Sequence, residues 1–193
     1  YGIDITNTVG TLVSGNDISK LPHGAILYMT CNDAVIEYNK IYDVIKDTSD
    51  AGAIYSGRDW TTRGNTIRYN YIHDITDING VNNASAVYLD DMHSSTAVYN
   101  NVIYNVPQAI LLGGGRDNSF TNNLIIDCNR WIEADRRGTR TDLTYMKHML
   151  SQVPYTSEAW SKYDNLANIL NDDPGEAKYN VIKEENDKYS SIL

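Results

Sequence analysis

The chain has 193 residues, 41% of them hydrophobic and 21% charged, an ordinary composition for one globular domain that excludes disordered and collagen-like classes. Its 25 acidic against 16 basic residues leave a formal net charge of −9, the wrong sign for a duplex-binding protein, so no nucleic-acid partner is expected. No run approaches the roughly 18 apolar residues that a spanning helix needs. Two counts stand apart, 15 Tyr against one Phe and 21 Asn, and the Asn excess asks for a structural reason.

In chain order the organising signal is a short motif in which Asn precedes an apolar pair. It reads Asn16-Asp17-Ile18, Asn39-Lys40-Ile41, Asn70-Tyr71-Ile72, Asn101-Val102-Ile103, Asn123-Leu124-Ile125 and, weakly, Asn180-Val181-Ile182. The Asn spacings are 23, 31, 31, 22 and 57. A second motif travels with it as Ala25-Ile26, Ala53-Ile54, Ala86-Val87, Ala109-Ile110 and the degraded Trp131-Ile132. A base period of 22 or 23 residues suits either a leucine-rich repeat or a β-helix coil. The Leu lattice of the first is missing, and short β-branched runs between Gly, Asn and Asp are strand-and-turn chemistry. The expected fold is therefore all-β, a right-handed parallel β-helix of about 22-residue coils stacked about 4.8 Å apart. The repeated Asn sits at a turn, where stacked side-chain amides satisfy one another from coil to coil.

Insertions at 48–52 and 77–85 precede two of the Ala-Ile strands, and solenoid insertions gather on one face. Cys31 and Cys128 fall four coils apart, about 19 Å at the coil spacing, too far for a disulfide. Both are expected to be buried small apolar residues. Near the C-terminus an excursion over 141–171 breaks the solenoid. Leu143, Met146, Met149, Leu150 and Val153 recur at helical spacing up to Pro154, and Ser157 caps a second amphipathic run through Trp160, Tyr163, Leu166, Ile169 and Leu170. Residues 175–193 read as a returning coil and tail. The whole of 1–193 is expected to form one β-helix domain. With Tyr1 at its start and no charged-then-apolar leader, the chain reads as a processed product or a piece of a longer protein. Missing N-terminal coils, or a partner chain, are expected to cover the open end.

The Ala-Ile strands lead into Tyr55-Ser56-Gly57-Arg58-Asp59-Trp60, Tyr88-Leu89-Asp90-Asp91-Met92-His93, Gly113-Gly114-Gly115-Arg116-Asp117 and Glu133-Ala134-Asp135-Arg136. Stacked side by side, these segments place Asp59, Asp90, Asp91, Asp117, Glu133 and Asp135 on one strip with Arg58, Arg116 and Arg136. Asp50 opens a strand beside it. Glycoside cleavage needs one carboxylic acid to protonate the leaving oxygen and a second carboxylate as base or nucleophile. Trp60, Tyr55 and Tyr88 offer faces to sugar rings, and His93 follows the Asp pair at either the cleft or the surface. His73 is expected at the surface. No cofactor is expected; calcium is a second reading of the acids, although no spacing resembles a dedicated calcium loop. Zinc spacing, a phosphate-cradling loop and a Gly-x-Ser-x-Gly elbow are absent from the sequence.

The segments Asp50-Ala51-Gly52-Ala53-Ile54-Tyr55-Ser56-Gly57-Arg58-Asp59-Trp60, Ala86-Val87-Tyr88-Leu89-Asp90-Asp91 and Gly113-Gly114-Gly115-Arg116-Asp117-Asn118 resemble signatures of secreted bacterial parallel β-helix proteins related to glycoside hydrolase family 141. Glu133 to Gly138 and the stretch from Pro154 to Pro174 are similar to further segments of that family. The resemblance covers about residues 35–182. It implies a secreted, periplasmic or cell-surface protein that hydrolyses plant cell-wall or host glycans. Asp50 and Asp91 then become the first catalytic candidates, with Asp59 and Asp90 next. Arg58, Trp60, Tyr55, Tyr88, His93, Arg116, Asp117, Glu133, Asp135 and Arg136 become substrate-binding candidates. Two alternatives stand beside hydrolysis. One is a polysaccharide lyase, disfavoured by the charge of −9 and by the lack of a Lys in the strip. The other is a glycan-binding or adhesive β-helix without turnover.

Overall fold

The computed structural model describes residues 1–58, 62–76 and 83–135. Five coils of three short strands follow one another. They are β1 (Ile3–Asp4), β2 (Leu12–Ser14) and β3 (Asp17–Ser19); β4 (Ile26–Leu27), β5 (Val35–Glu37) and β6 (Lys40–Tyr42); β7 (Ala51–Gly57), β8 (Asn65–Arg68) and β9 (Tyr71–His73); β10 (Ala84–Asp90), β11 (Thr96–Tyr99) and β12 (Val102–Tyr104); and β13 (Gln108–Leu112), β14 (Ser119–Thr121) and β15 (Leu124–Ile126). A sixth coil opens with β16 (Arg130–Ala134). Corresponding strands stack in parallel into three sheets. Sheet 1 runs β1-β4-β7-β10-β13-β16, sheet 2 holds β2, β5, β8, β11 and β14, and sheet 3 holds β3, β6, β9, β12 and β15. Parallel strands joined by crossovers in this way form a right-handed coil.

Each sheet turns one row of β-branched residues inward, because the strand period of two puts every other side chain on the core face. Ile26, Ile54, Val87 and Ile110 are paired in register across sheet 1. Val13, Ile36, Ile67 and Val98 do the same in sheet 2, and Ile18, Ile41, Ile72 and Ile103 in sheet 3. All twelve are buried in one continuous core. The sequence pattern begins at Ala25, but the stack begins a coil earlier, with Ile3 paired to Ile26. Cys31 is buried as expected, and both cysteines are free thiols. Cys128 is only half-buried on the fringe of the core, because it sits at the corner after β15 where the described stack is ending.

The Asn ladder forms at the corner between sheets 2 and 3. Asn39 Oδ1 accepts from the backbone N–H (3.0 Å) and the side-chain amide (2.8 Å) of Asn16. Asn70 Oδ1 takes the same two bonds from Asn39, Asn101 from Asn70, and Asn123 from Asn101. The residue just before each rung (Gly15, Tyr38, Tyr69, Asn100, Asn122) has positive φ, which turns the chain and lets the Asn side chain point inward. A second set that the repeat motif did not reveal braces the corner between sheets 1 and 2. Asn65 and Asn118 accept from the backbone N–H of Ala34 and Thr96 and donate to the carbonyls of Cys31 and His93.

The insertion before β7 is in place, while 77–82 in the second insertion, the helical excursion expected over 141–171 and the returning coil over 175–193 lie outside the described residues.

The ladder carries a stability prediction. Asn70 is 1% exposed and its side chain makes four hydrogen bonds, to Asn39 twice, to the Ile36 carbonyl and to Asn101. At about 1 kcal/mol each, Asn70→Ala is expected to lose about 3 kcal/mol or more by urea unfolding. Asn16→Ala, at the end of the ladder, is expected to lose distinctly less.

Candidate functional site

The outward face of sheet 1 carries the acidic strip. Behind the inward Ile row, the next position faces out and reads Leu27, Tyr55, Tyr88, Leu111 and Glu133 in register. Two positions further along, the same face carries Gly57 paired with Asp90. Gly113 continues the ladder on the other side of Asp90, donating to the Leu89 carbonyl and accepting from Met92. A Cβ on Gly57 would stand 3.0 Å from that of Asp90. The two glycines therefore leave a low, side-chain-free strip on either side of the Asp90 carboxylate, which is only 7% exposed.

Asp90 is held from both oxygens. Its Oδ2 accepts from the Tyr55 phenol at 2.8 Å and its Oδ1 from the Asp91 backbone N–H at 2.8 Å. Asp91 and Met92 both adopt positive φ, so the chain turns sharply after β10 and Asp91 also reaches the outside. There its Oδ2 meets Arg58 Nε at 2.9 Å. That bond is the main cause of the raised pKa of Arg58. Burial, and then the Asp90 charge, push the Tyr55 phenol well above its ordinary value. The same two causes, with Asp4 added, raise Tyr1 to about 12. Both phenols thus stay protonated at neutral pH, that of Tyr55 as the donor to Asp90. Tyr55 lies 5.3 Å from Tyr88 edge to face and 6.2 Å from Tyr1.

A second polar group lies on the same face, from Asp50 to Glu133. The Tyr88 phenol donates to Asp50 Oδ1 at 3.1 Å. Glu133 Oε2 accepts from Gln108 at 3.0 Å and from Arg130 at 2.6 Å. Asp50 and Asp90 thus sit at the two ends of one packed pair of tyrosines, each carboxylate held by one of the two phenols, and Asp90 and Asp91 are neighbours on one turn.

Arg116 and Asp117 contact each other at 3.9 Å beyond β13, and Asp135 continues sheet 1 by donating its backbone N–H to the Leu112 carbonyl. Asp59, Trp60 and Arg136 lie outside the described residues. Among the described residues no group of three or more His, Cys, Asp and Glu side chains is arranged to hold a metal ion.

His93 is placed differently from expectation. It lines neither cleft nor surface and is fully buried between coils. Its Nδ1 pairs with Ser56 Oγ at 3.1 Å and its Nε2 with Thr96 Oγ1 at 2.8 Å, with the Tyr28 ring edge-on at 5.4 Å. The left-handed pair Asp91–Met92 breaks strand alternation and turns the imidazole inward. His73 is likewise half-buried rather than superficial, stacked between Tyr42 and Tyr71. The sequence reading also missed Tyr1, which precedes every repeat and carried no signal, and Gln108, whose register with Gly52 and Ser85 was there to be found.

The chain belongs to the right-handed β-helix family, whose model matches residues 1–142. That family includes polysaccharide-degrading enzymes and proteins with other roles. No curated protein and no solved structure matches the chain.

The buried imidazole makes a pH prediction. Desolvation, the larger cause, together with the charge of Arg63 lowers the His93 pKa to about 3, against roughly 6.5 in an unfolded chain. The unfolded state therefore binds the proton first as pH falls. The stability from neutral His93 is fully present above pH ~6.5 and is lost progressively toward pH ~3. In urea titrations at stepped pH, His93→Gln is expected to flatten this acid limb relative to wild type. An unchanged acid limb would contradict the assignment.

Proposed function

We propose that this chain cleaves neutral glycans at the Asp90–Asp91 turn of sheet 1, as a glycoside hydrolase or the catalytic core of one. The observation that carries the reading is the Asp90 carboxylate, nearly buried yet outward-facing, between Gly57 and Gly113 and bonded to Tyr55. A pyranose ring fits over the glycine strip with the aromatic face of sheet 1 beside it. Asp90, accepting hydrogen bonds at both oxygens, serves as the carboxylate that activates water or attacks the anomeric carbon. Asp91, ionised while it pairs with Arg58, takes up a proton from solvent once bound sugar displaces the 55% exposed Arg58 side chain, and passes that proton to the leaving oxygen. Asp50, Tyr88 and Glu133 hold the glycan further along the face, with the buried Gln108 positioning Glu133 from beneath. Arg116, Asp117 and Asp135 are assigned to substrate contacts; of the residues outside those described, Asp59 stays a catalytic candidate and Trp60 and Arg136 stay substrate-binding candidates on the sequence alone. The resemblance to family 141 supports activities of the fucosidase or xylanase kind and a secreted, bacterial setting.

One observation favours a second reading, glycan binding without turnover: Asp50, Asp90, Asp91 and Glu133 each already have a donor within the protein. Such a satisfied surface binds sugar hydroxyls without needing to transfer protons.

A polysaccharide panel scored for new reducing ends and for unsaturated-product absorbance separates these readings. Reducing ends without absorbance are expected. Asp91→Asn is expected to lower kcat at least about a hundred-fold with Tm within a degree or two of wild type. Full activity in that variant, or unsaturated products, would overturn the hydrolase assignment, and binding without any products would favour the second reading.

A further inference from the structure

The corner between sheets 2 and 3 carries a feature that the sheet 1 site does not use. The residue before each Asn rung must adopt left-handed backbone, and φ lies between 54° and 72° at all five such positions. Three coils place Gly15, Asn100 or Asn122 there, the residue types that tolerate it. The other two place Tyr38 and Tyr69, at φ of 54° and 55°. A bulky side chain in this region costs of order 1–3 kcal/mol. These two rings are also unusually open, 60% and 41% exposed. They stack in parallel, 5.2 Å apart with 9° between their planes. Gly15, in the coil before, puts no side chain against Tyr38, and the space around it is open.

The surroundings say what such a platform takes. Arg68 lies over the Tyr69 ring at 5.7 Å and pairs with Glu37 at 2.7 Å. On the other flank Lys40 pairs with Asp17 at 3.6 Å. Each cation is matched by an acid, so the patch has no excess positive charge for a phosphate or a uronate. Tyr69 is packed by Tyr38 in parallel, by Arg68 over its ring and by Tyr99 edge-on at 6.1 Å, so the open aromatic face is that of Tyr38 toward the Gly15 coil. Rimmed with donors and acceptors, that face suits the apolar face and the ring hydroxyls of a neutral sugar, with Tyr69 backing it.

We propose that Tyr38 and Tyr69 form a second glycan-binding site, for a neutral polysaccharide, on a face distinct from sheet 1. It anchors the protein on its polymer independently of the Asp90–Asp91 turn and does not depend on catalysis there.

The test is native affinity electrophoresis in gels containing soluble xylan, xyloglucan or mixed-linkage β-glucan. It compares wild type, the Tyr38→Asn/Tyr69→Asn double variant and Asp90→Asn. The Asn substitutions install what neighbouring coils already carry, so the double variant is expected to fold with a Tm equal to or above wild type. At least one polysaccharide is expected to retard wild type and Asp90→Asn, and the double variant is expected to bind it at least about tenfold more weakly, a loss of one aromatic contact's order. Equal retardation of the double variant would overturn the proposal, as would loss of retardation in Asp90→Asn alone. If no polysaccharide retards wild type, the proposal also fails, while the sheet 1 reading is still judged separately by its reducing-end assay. A lowered Tm with unchanged retardation would show that the two rings serve packing only.

Discussion

The amide-to-amide bond between successive asparagines is the constraint on which the rest of the molecule depends. A parallel coil has to turn three times, and at each turn the backbone leaves polar groups without strand partners. At the corner between sheets 2 and 3 the inward Asn closes that account, accepting from the coil before and donating to a carbonyl within the stack, as Asn39 does to Val13 and Asn101 to Ile67. Each rung works only if the next coil presents its own Asn at the same height. The ladder therefore fixes register, and register decides which side chains meet: Ile over Ile inside, Tyr55 beside Tyr88 outside.

Register has chemical consequences at the ends of the long strands. Asp50, just before β7, meets the Tyr88 phenol, and Asp90, at the end of β10, meets the Tyr55 phenol, with the two rings packed edge to face. The next residue, Asp91, pairs with Arg58. The turn that ends β10 adds a second effect. Two left-handed residues in succession bring Asp91 outward next to Asp90 and send His93 inward, where it bonds Ser56, Thr96 and Tyr28 and where burial, with the Arg63 charge, keeps it neutral. Gly115 makes room for this turn, since a Cβ there would collide with the His93 carbonyl. The acidic turn outside and the buried imidazole inside are thus two products of one backbone device.

Much of this was legible in the sequence because periodicity is a direct physical signal. The Asn rungs and the Ala-Ile rows recur with the coil, so the fold, the stacking direction and the gathering of Asp90, Asp91 and Arg58 on one face follow from counting. What escaped had no repeated neighbour to align with. Ile3 precedes the first complete motif, and Asn65 and Asn118 serve a corner whose spacing the insertions disturb. His93 was misplaced because the second left-handed residue of the turn, Met92, leaves no mark in residue type, whereas Asp91 alone would not have reversed the side-chain direction.

The most direct test of the central claim is a crystal structure of the Asp90→Asn variant soaked with a neutral oligosaccharide released from the polysaccharide that wild type cleaves. The account predicts a sugar ring lying over Gly57 and Gly113, with its glycosidic oxygen near Asp91 and the chain extending toward Tyr88 and Asp50. A ligand bound elsewhere on the coil stack, with the turn after β10 bare, would contradict it.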